Sequence, residues 1–200
     1  MSGAAPGAPV SHLLYLHGFR SSPLSTKARI TAAWVARHRP DVAWCCPQLP
    51  PSPRAAIDLL TTLVAPWPVE RMAVIGSSLG GFYATTLAEQ TGCRAVLLNP
   101  AVDPARDLAA HVGELTAWHS DERFVFGPGD VEALRAIAPP AMLSRPQRYL
   151  AVIAKGDEVL SWREMRARYA GCPTVLIESS DHALGDFETY LPAVTAFLGL

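Results

Sequence analysis

The residues Val74–Gly81, VIGSSLGG, join the end of an apolar run to a segment of small residues with helical spacing. Within them, Gly76, Ser78 and Gly80 form the pattern G-x-S-x-G, which is typical of a serine on a sharp turn from a strand into a helix. Small neighbours let the strand and the helix approach closely while the serine is held in a strained backbone conformation. The pattern predicts that Ser78, and not Ser77, is a nucleophile. A purely structural glycine and serine turn is the alternative.

Short apolar runs that alternate with helical segments indicate the architecture. Such runs are typical of strands buried on both faces in a parallel sheet, with right-handed crossovers through helices. We therefore expect one α/β domain over residues 11–200, with a six-stranded, mostly parallel sheet, helices on both faces and a flexible tail at residues 1–10. The sequence predicts strands at His12–Leu16, Val42–Cys46, Arg71–Ile75, Ala95–Leu98, Arg148–Ala154 and Pro173–Glu178.

Two later segments carry more specific predictions. Residues 101–147 are expected to form a cover or lid over one end of the sheet, with helices near Pro104–Leu115 and at Val131–Ile137. The last helix is predicted at about Phe187–Leu198, with a kink at Pro192.

The composition limits the classes of partner and the cellular compartment. With 200 residues, half of them apolar, the chain suits one domain, and its net charge of -1 offers no field for nucleic acid or an anionic membrane. No apolar run approaches the roughly 18 residues of a membrane span, and no signal peptide is visible. Four cysteines without a C-x-x-C pair suit reduced thiols, so we expect a cytoplasmic protein. No histidine or cysteine set has metal-ligand spacing, so neither a metal nor a cofactor is expected.

A nucleophilic serine needs an imidazole that accepts its proton and a carboxylate that orients this imidazole. In parallel sheets, ligands bind beyond the carboxyl ends of the strands. Of the three histidines after Ser78 in the chain, His182 directly follows the last predicted strand, whereas His111 and His119 lie in the predicted cover. His182 is therefore the predicted base, and an ordinary surface-loop histidine is the alternative.

The predicted acid is Asp157, which follows the fifth predicted strand. Glu158 and Asp103 are the rival carboxylates, since Asp103 follows the fourth predicted strand and could also reach inward. The order serine, aspartate, histidine is that of α/β-hydrolases.

Two backbone N–H groups are predicted to stabilise the oxyanion of the reaction. One belongs to Leu79, at the positive end of the helix after the serine, and the other to Phe19, in the loop after the first strand. In that loop, His17, Gly18 and Arg20 are predicted to contact the substrate. A structural role, in which His17 simply holds the loop by a hydrogen bond, is the alternative.

Six motifs are spread over nearly the whole chain: Leu14–Phe19 with Ser21–Pro23, Pro47–Pro51, Gly76–Gly81, Asn99–Ala101, Gly156–Val159 and the final Phe-Leu-Gly-Leu. Together they resemble the YqiA/YcfP family of small α/β-hydrolase-fold esterases. The resemblance implies strand order 2-1-3-4-5-6, a site formed by Ser78, Asp157 and His182, and a carboxylic ester or acyl thioester substrate.

The predicted function is therefore that of a serine esterase that forms an acyl-enzyme on Ser78 and acts on esters or thioesters, acyl-CoA among them. Lipophilic residues between Val102 and Leu143 predict an apolar acyl pocket. The alternative is a binding or scaffolding protein with the same fold and no catalysis. The sequence leaves the natural substrate and the oligomeric state open.

Overall fold

The fold of residues 9–118 and 122–200 is described by a computed structural model. Its strands are β1 (His12–Leu16), β2 (Ala43–Cys45), β3 (Met72–Ser77), β4 (Arg94–Leu98), β5 (Gly113–Thr116), β6 (Arg123–Phe126), β7 (Tyr149–Ala154) and β8 (Thr174–Ile177). Its α-helices are α1 (Thr26–His38), α2 (Pro53–Val64), α3 (Leu79–Thr91), α4 (Pro104–Asp107), α5 (Pro128–Ala136), α6 (Trp162–Arg168) and α7 (Leu191–Leu198). Short 3-10 turns lie at Val69–Arg71, Ala109–His111, Pro146–Arg148 and Phe187–Thr189.

The main sheet has six strands in the order β2-β1-β3-β4-β7-β8, and every neighbouring pair is parallel. This confirms the predicted single α/β domain and its parallel sheet. The six sheet strands also follow the predicted order, 2-1-3-4-5-6, when numbered among themselves. None of the helices in the described ranges is long and apolar enough to cross a lipid bilayer.

The strands are apolar throughout because both faces of the sheet are covered. Along β1, Leu13 and Tyr15 pack into one core with residues of α1 and α7. Leu14 and Leu16 point to the opposite face and pack into a second core with α2, α3 and α6. Side chains alternate between the faces of a strand, so one continuous apolar run supplies both cores.

The ordered fold includes a residue that the sequence assigned to the tail. Val10 is buried in the core, and the neighbouring Ser11 donates its backbone N–H to the carbonyl oxygen of Arg71 at 2.7 Å. Residues 1–8 lie outside the described part of the chain, so the flexible tail stays a prediction for them.

The segment between β4 and β7 differs from its prediction. The expected helix near Pro104–Leu115 is wrong beyond Asp107, because the chain passes through a 3-10 turn into β5, which pairs with β6 in an antiparallel hairpin. The hairpin is anchored by packing that is distant in sequence, since the ring of Phe126 lies 5.3 Å from the ring of Phe19. The expected second helix is present as α5.

The last helix also begins later than predicted. A 3-10 turn occupies Phe187–Thr189, and α7 starts at Leu191. Pro192 therefore lies in the first turn of α7, where its missing N–H costs no helical hydrogen bond, and the predicted kink at this position is wrong.

Candidate active site

The turn between β3 and α3 holds Ser78 in an unusual backbone conformation. Its φ is 54° and its ψ is -120°, in a region that residues other than glycine rarely adopt. The flanking glycines are required by close backbone contacts. A Cβ atom at Gly76 would lie 2.2 Å from the carbonyl oxygen of Gly80, and a Cβ atom at Gly80 would lie 2.1 Å from that of Leu16. The spacing G-x-S-x-G thus follows from the contact of α3 with β1 and β3.

The backbone of Ser78 is fixed to the end of β4. Its N–H donates to the carbonyl oxygen of Leu98, and its carbonyl oxygen accepts the N–H of Ala101, both at 3.0 Å. The serine is therefore attached to the segment Leu98–Ala101 as well as to its own strand and helix.

His182 and Asp157 meet at the same edge of the sheet, after β8 and β7. The Nδ1 atom of His182 lies 2.8 Å from Oδ2 of Asp157, whose side chain has no exposed surface, whereas the His182 side chain is 18% exposed. The other oxygen, Oδ1, accepts the backbone N–H groups of Val159 and Leu160 at 2.9 and 2.7 Å. Asp157 is therefore oriented by its own loop, and this carboxylate orients the imidazole.

The two rival carboxylates have other hydrogen-bond partners. Glu158 accepts the backbone N–H of His182 at 3.0 Å, so it holds the histidine's main chain. Asp103 is exposed and caps α4, where its Oδ1 accepts the N–H of Arg106 at 3.1 Å. Among the alternatives weighed from the sequence, Asp157 alone is paired with His182 Nδ1.

Two further side chains hold the loop that carries His182, and the sequence reasoning assigned a role to neither. Asn99, directly after β4, donates its side-chain amide to the carbonyl oxygens of Asp181 and His182 at 3.0 and 3.2 Å. Lys27 in α1 donates to the carbonyl oxygen of Ala183, and burial lowers the pKa of this lysine to about 8. The position of Asn99 just beyond a strand, at the edge where Ser78 lies, was the available signal.

The loop after β1 lies against the serine. A Cβ atom at Gly18 would lie 3.3 Å from Ser78 Cβ and 3.7 Å from Ser78 Oγ, so the loop backbone runs beside the hydroxyl. His17 is buried, and its Nε2 accepts the N–H of Leu49 at 3.1 Å, which leaves the ring proton on Nδ1, 3.0 Å from the carbonyl oxygen of Gly18. His17 therefore joins the loop after β1 to the loop after β2, and its predicted contact with substrate stays a prediction.

Phe19 and Arg20 connect the same loop to the hairpin. The ring of Phe19 lies 6.1 Å from that of Phe124 in β6. Arg20 has a φ of 60° and donates its Nε–H to the carbonyl oxygen of Thr116 in β5 at 2.8 Å, while its own carbonyl oxygen accepts the N–H of Trp118. The guanidinium group also lies over the Trp118 ring. The hairpin and the loop thus form one continuous wall.

A cavity of about 190 Å³ opens between this wall and α3. Gly18, which lies against Ser78, and Leu79, which follows Ser78 in the sequence, both line this cavity. The lining is mostly apolar, and burial raises the pKa of the Tyr83 phenol above its ordinary value, so this hydroxyl stays neutral. Its apolar side chains are Phe19, Leu49, Pro50, Pro51, Leu79, Tyr83, Ala117 and Phe124, and its polar ones include His17, Arg20, Gln48 and Glu122.

The remaining candidate positions lie elsewhere. His111 is exposed in a 3-10 turn, with its ring 6.4 Å from that of Phe19. His119 lies outside the described residues. Within residues 9–118 and 122–200, no group of three or more histidine, cysteine, aspartate or glutamate side chains converges in a way that could hold a metal ion.

Comparison with known proteins identifies the relatives of this arrangement. A family described as "Uncharacterised protein family (UPF0227)" matches residues 12–199 of the chain. The chain belongs to this family. UPF0227 is the YqiA/YcfP family that the motifs indicated, so the resemblance predicted from the sequence is confirmed.

Solved structures show how widely the fold of this UPF0227 member is shared. Alpha/beta hydrolase domain-containing protein 10 from mouse has a TM-score of 0.74 at 13% identity, over 98% of this chain and 92% of that one. Est1E from Butyrivibrio proteoclasticus, with ferulic acid bound, has a TM-score of 0.70 at 15% identity, over 95% and 88% of the two chains. The esterase domain of a Rhodothermus marinus protein has a TM-score of 0.64 at 19% identity, over 94% and 86%. At these identities the similarity shows the α/β-hydrolase fold.

Proposed function

We propose that this protein is a serine hydrolase that cleaves small carboxylic esters or acyl thioesters, acyl-CoA among them, through an acyl-enzyme on Ser78. The observation that carries the proposal is the pair of Asp157 and His182, 2.8 Å apart, with the carboxylate side chain buried, at the sheet edge where Ser78 is held in a strained turn. A serine in a strained turn and a carboxylate–imidazole pair at the same sheet edge, beside a cavity, are the groups that a nucleophile, its base and an orienting acid require.

In the proposed mechanism, His182 acts as general base and then as general acid. With its Nδ1–H directed at Asp157, the imidazole presents an unprotonated Nε2, which takes the Ser78 proton as Oγ attacks the carbonyl carbon. Asp157 stabilises the resulting imidazolium. The proton then passes to the leaving alcohol or thiol, and a water molecule repeats the sequence to release the acid.

The proposed oxyanion site uses two backbone N–H groups. Leu79 is the first residue of α3, so its N–H has no partner in the hydrogen-bond ladder of the helix and lies at the positive end of the helix dipole. The second donor is the N–H of Phe19, in the loop whose Gly18 lies against Ser78. Donors that are fixed before the reaction stabilise the developing negative charge at no cost of reorganisation.

The cavity supports an acyl group of modest size as the substrate's uncharged end. A dry cavity of about 150 Å³ accommodates a benzene molecule, so about 190 Å³ suits a ring of that size or a short chain of about four to six carbons. Its aromatic and proline lining favours apolar groups.

The four cysteines are unpaired, which supports the proposal of a cytoplasmic location.

Hydrolysis of p-nitrophenyl butyrate and labelling by a fluorophosphonate probe test the proposal together. We expect both with the wild type, neither with Ser78→Ala, and both with the matched control Ser77→Ala. A folded wild type that is neither labelled nor active would contradict the proposal and favour the binding or scaffolding alternative.

A further inference from the structure

Asn99 lies at the centre of the contacts that hold the His182 loop. It is almost fully buried and directly follows β4, with a φ of 42°. Its Oδ1 accepts the backbone N–H of Ala154, at the end of β7, at 2.8 Å. Its Nδ2 donates to the carbonyl oxygens of Asp181 and His182 at 3.0 and 3.2 Å. One side chain therefore joins the ends of β4 and β7 to the loop after β8.

These three contacts require a carboxamide. They use one acceptor and two donors on a short side chain, and among the natural side chains of this length only asparagine supplies both. A carboxylate would direct an oxygen at two carbonyl oxygens, and an apolar residue would take the acceptor from the buried N–H of Ala154 and one donor from each of the two carbonyl groups. The left-handed backbone is also one that asparagine tolerates better than most residues.

The backbone around Asn99 leads directly to the serine. Leu98, on one side, accepts the N–H of Ser78, and Ala101, two residues beyond Asn99, donates to the carbonyl oxygen of Ser78, both at 3.0 Å. The same short segment thus bonds the main chain of Ser78 through its backbone and the main chain of His182 through the Asn99 side chain.

We propose that Asn99 is a positioning residue that fixes the main chain of His182 relative to Ser78. It thereby holds the imidazole where it can take the serine proton, a role that rests on the proposed function. Asn99 reaches the loop from the interior of the sheet. Two other side chains hold the loop: Glu158 accepts the His182 N–H and Lys27 donates to Ala183. Glu158 is exposed and Lys27 is only partly accessible, so the nearly inaccessible amide of Asn99 is the contact best shielded from water.

The test removes the amide while sparing the backbone. Glycine accepts a positive φ, so Asn99→Gly deletes the three contacts without adding backbone strain. We expect kcat for p-nitrophenyl butyrate to fall about 10- to 100-fold, since a displacement of about 1 Å in a reacting group costs that much, with KM changed less than about threefold. In the His182→Ala background, Asn99→Gly should cause no further loss, because it acts through His182.

A second readout does not depend on activity. We expect the proton between His182 Nδ1 and Asp157 to give a proton NMR signal in the wild type, and we expect Asn99→Gly to accelerate its exchange with water at least tenfold. Val64→Ala is the matched control, because this buried residue ends α2, away from the His182 loop. It should lower the unfolding temperature while leaving both kcat and the exchange rate near wild type.

Asn99→Asp serves if the glycine variant does not fold, since it keeps the volume and the acceptor for Ala154 and replaces the donor with an oxygen that faces the two carbonyl oxygens. It should also lose at least tenfold in kcat. Wild-type kcat together with wild-type proton exchange in either folded variant would overturn the proposal. A wild type without esterase activity whose His182 signal is nevertheless lost in Asn99→Gly would contradict the proposed function and support the positioning role of Asn99.

Discussion

Replacing Asp157 with asparagine tests whether this carboxylate sets the tautomer of His182. In the structure, Oδ1 accepts two backbone N–H groups, from Val159 and Leu160, and Oδ2 lies 2.8 Å from His182 Nδ1. In Asp157→Asn the amide oxygen can keep the two backbone donors only if the NH2 group faces His182. The imidazole must then accept at Nδ1, so its proton moves to Nε2, and Nε2 can no longer take the proton of Ser78.

The size of the effect follows from this geometry. The opposite amide orientation would set NH2 against the two backbone N–H donors around a side chain that has no exposed surface, so the wrong tautomer is favoured. The same substitution in a serine protease triad lowers kcat about 10⁴-fold, and we expect a similar loss, equivalent to about 5 kcal/mol of transition-state stabilisation. KM should change little, because the buried side chain does not touch substrate.

Steady-state hydrolysis of p-nitrophenyl butyrate, with circular dichroism as a check of folding, provides the measurement. Glu158→Gln is the matched control, since its amide oxygen still accepts the His182 N–H, and it should stay within about threefold of wild type. Asp157→Asn combined with His182→Ala should be little worse than His182→Ala alone. A folded Asp157→Asn within tenfold of wild type, or a crippling effect of Asp103→Asn, would refute this assignment of the acid.

Three further predictions concern the cavity and the His182 loop. In a series of p-nitrophenyl esters, kcat/KM should rise about fourfold per methylene, because burying each methylene contributes about 0.8 kcal/mol. The rise should continue up to roughly four to six carbons and then reverse. A continued rise to long chains would contradict the cavity size. Phe124→Ala should enlarge the cavity and move this optimum to longer chains, whereas an unchanged optimum would mean that the acyl group lies elsewhere. Burial lowers the pKa of Lys27 to about 8, so the unfolded chain binds this proton more tightly than the folded protein. The free energy of unfolding of the wild type, measured in urea, should therefore rise relative to that of Lys27→Met between about pH 8 and pH 10. The rise should be up to ~1.4 kcal/mol per pH unit. A pH-independent difference would show that the lysine is not desolvated.

The sheet could be predicted from the sequence because each of its strands has a local sequence pattern. Each strand is an apolar run, and the turn around Ser78 carries glycines that the contact with β1 and β3 demands. The proximity of Asp157 to His182 could be predicted because the carboxyl ends of parallel strands share one edge. The comparison of Asp157 with Glu158 needed side-chain geometry, since the two are adjacent and both contact His182, one at its ring and the other at its backbone.

The hairpin and the contacts of Asn99 could not be predicted from the sequence, because both depend on residues that are far apart in the chain. Strands β5 and β6 have four residues each, too few for a clear period, and they are held by packing of Phe124 and Phe126 on Phe19, about a hundred residues away in the chain. Asn99 likewise joins three segments that only the fold brings together. Signals of this kind depend on tertiary contacts that no local pattern encodes.

The central claim, that Ser78 forms an acyl-enzyme, is tested most directly by mass spectrometry. Wild-type protein mixed with p-nitrophenyl butyrate and quenched in acid within the first turnovers should carry one added butyryl group, and peptide mapping should place it on Ser78. Ser78→Ala should carry none, whereas Ser77→Ala should carry the same group as wild type. A butyryl group on another residue, or rapid hydrolysis of the ester by a protein from which Ser78 has been removed, would contradict the account.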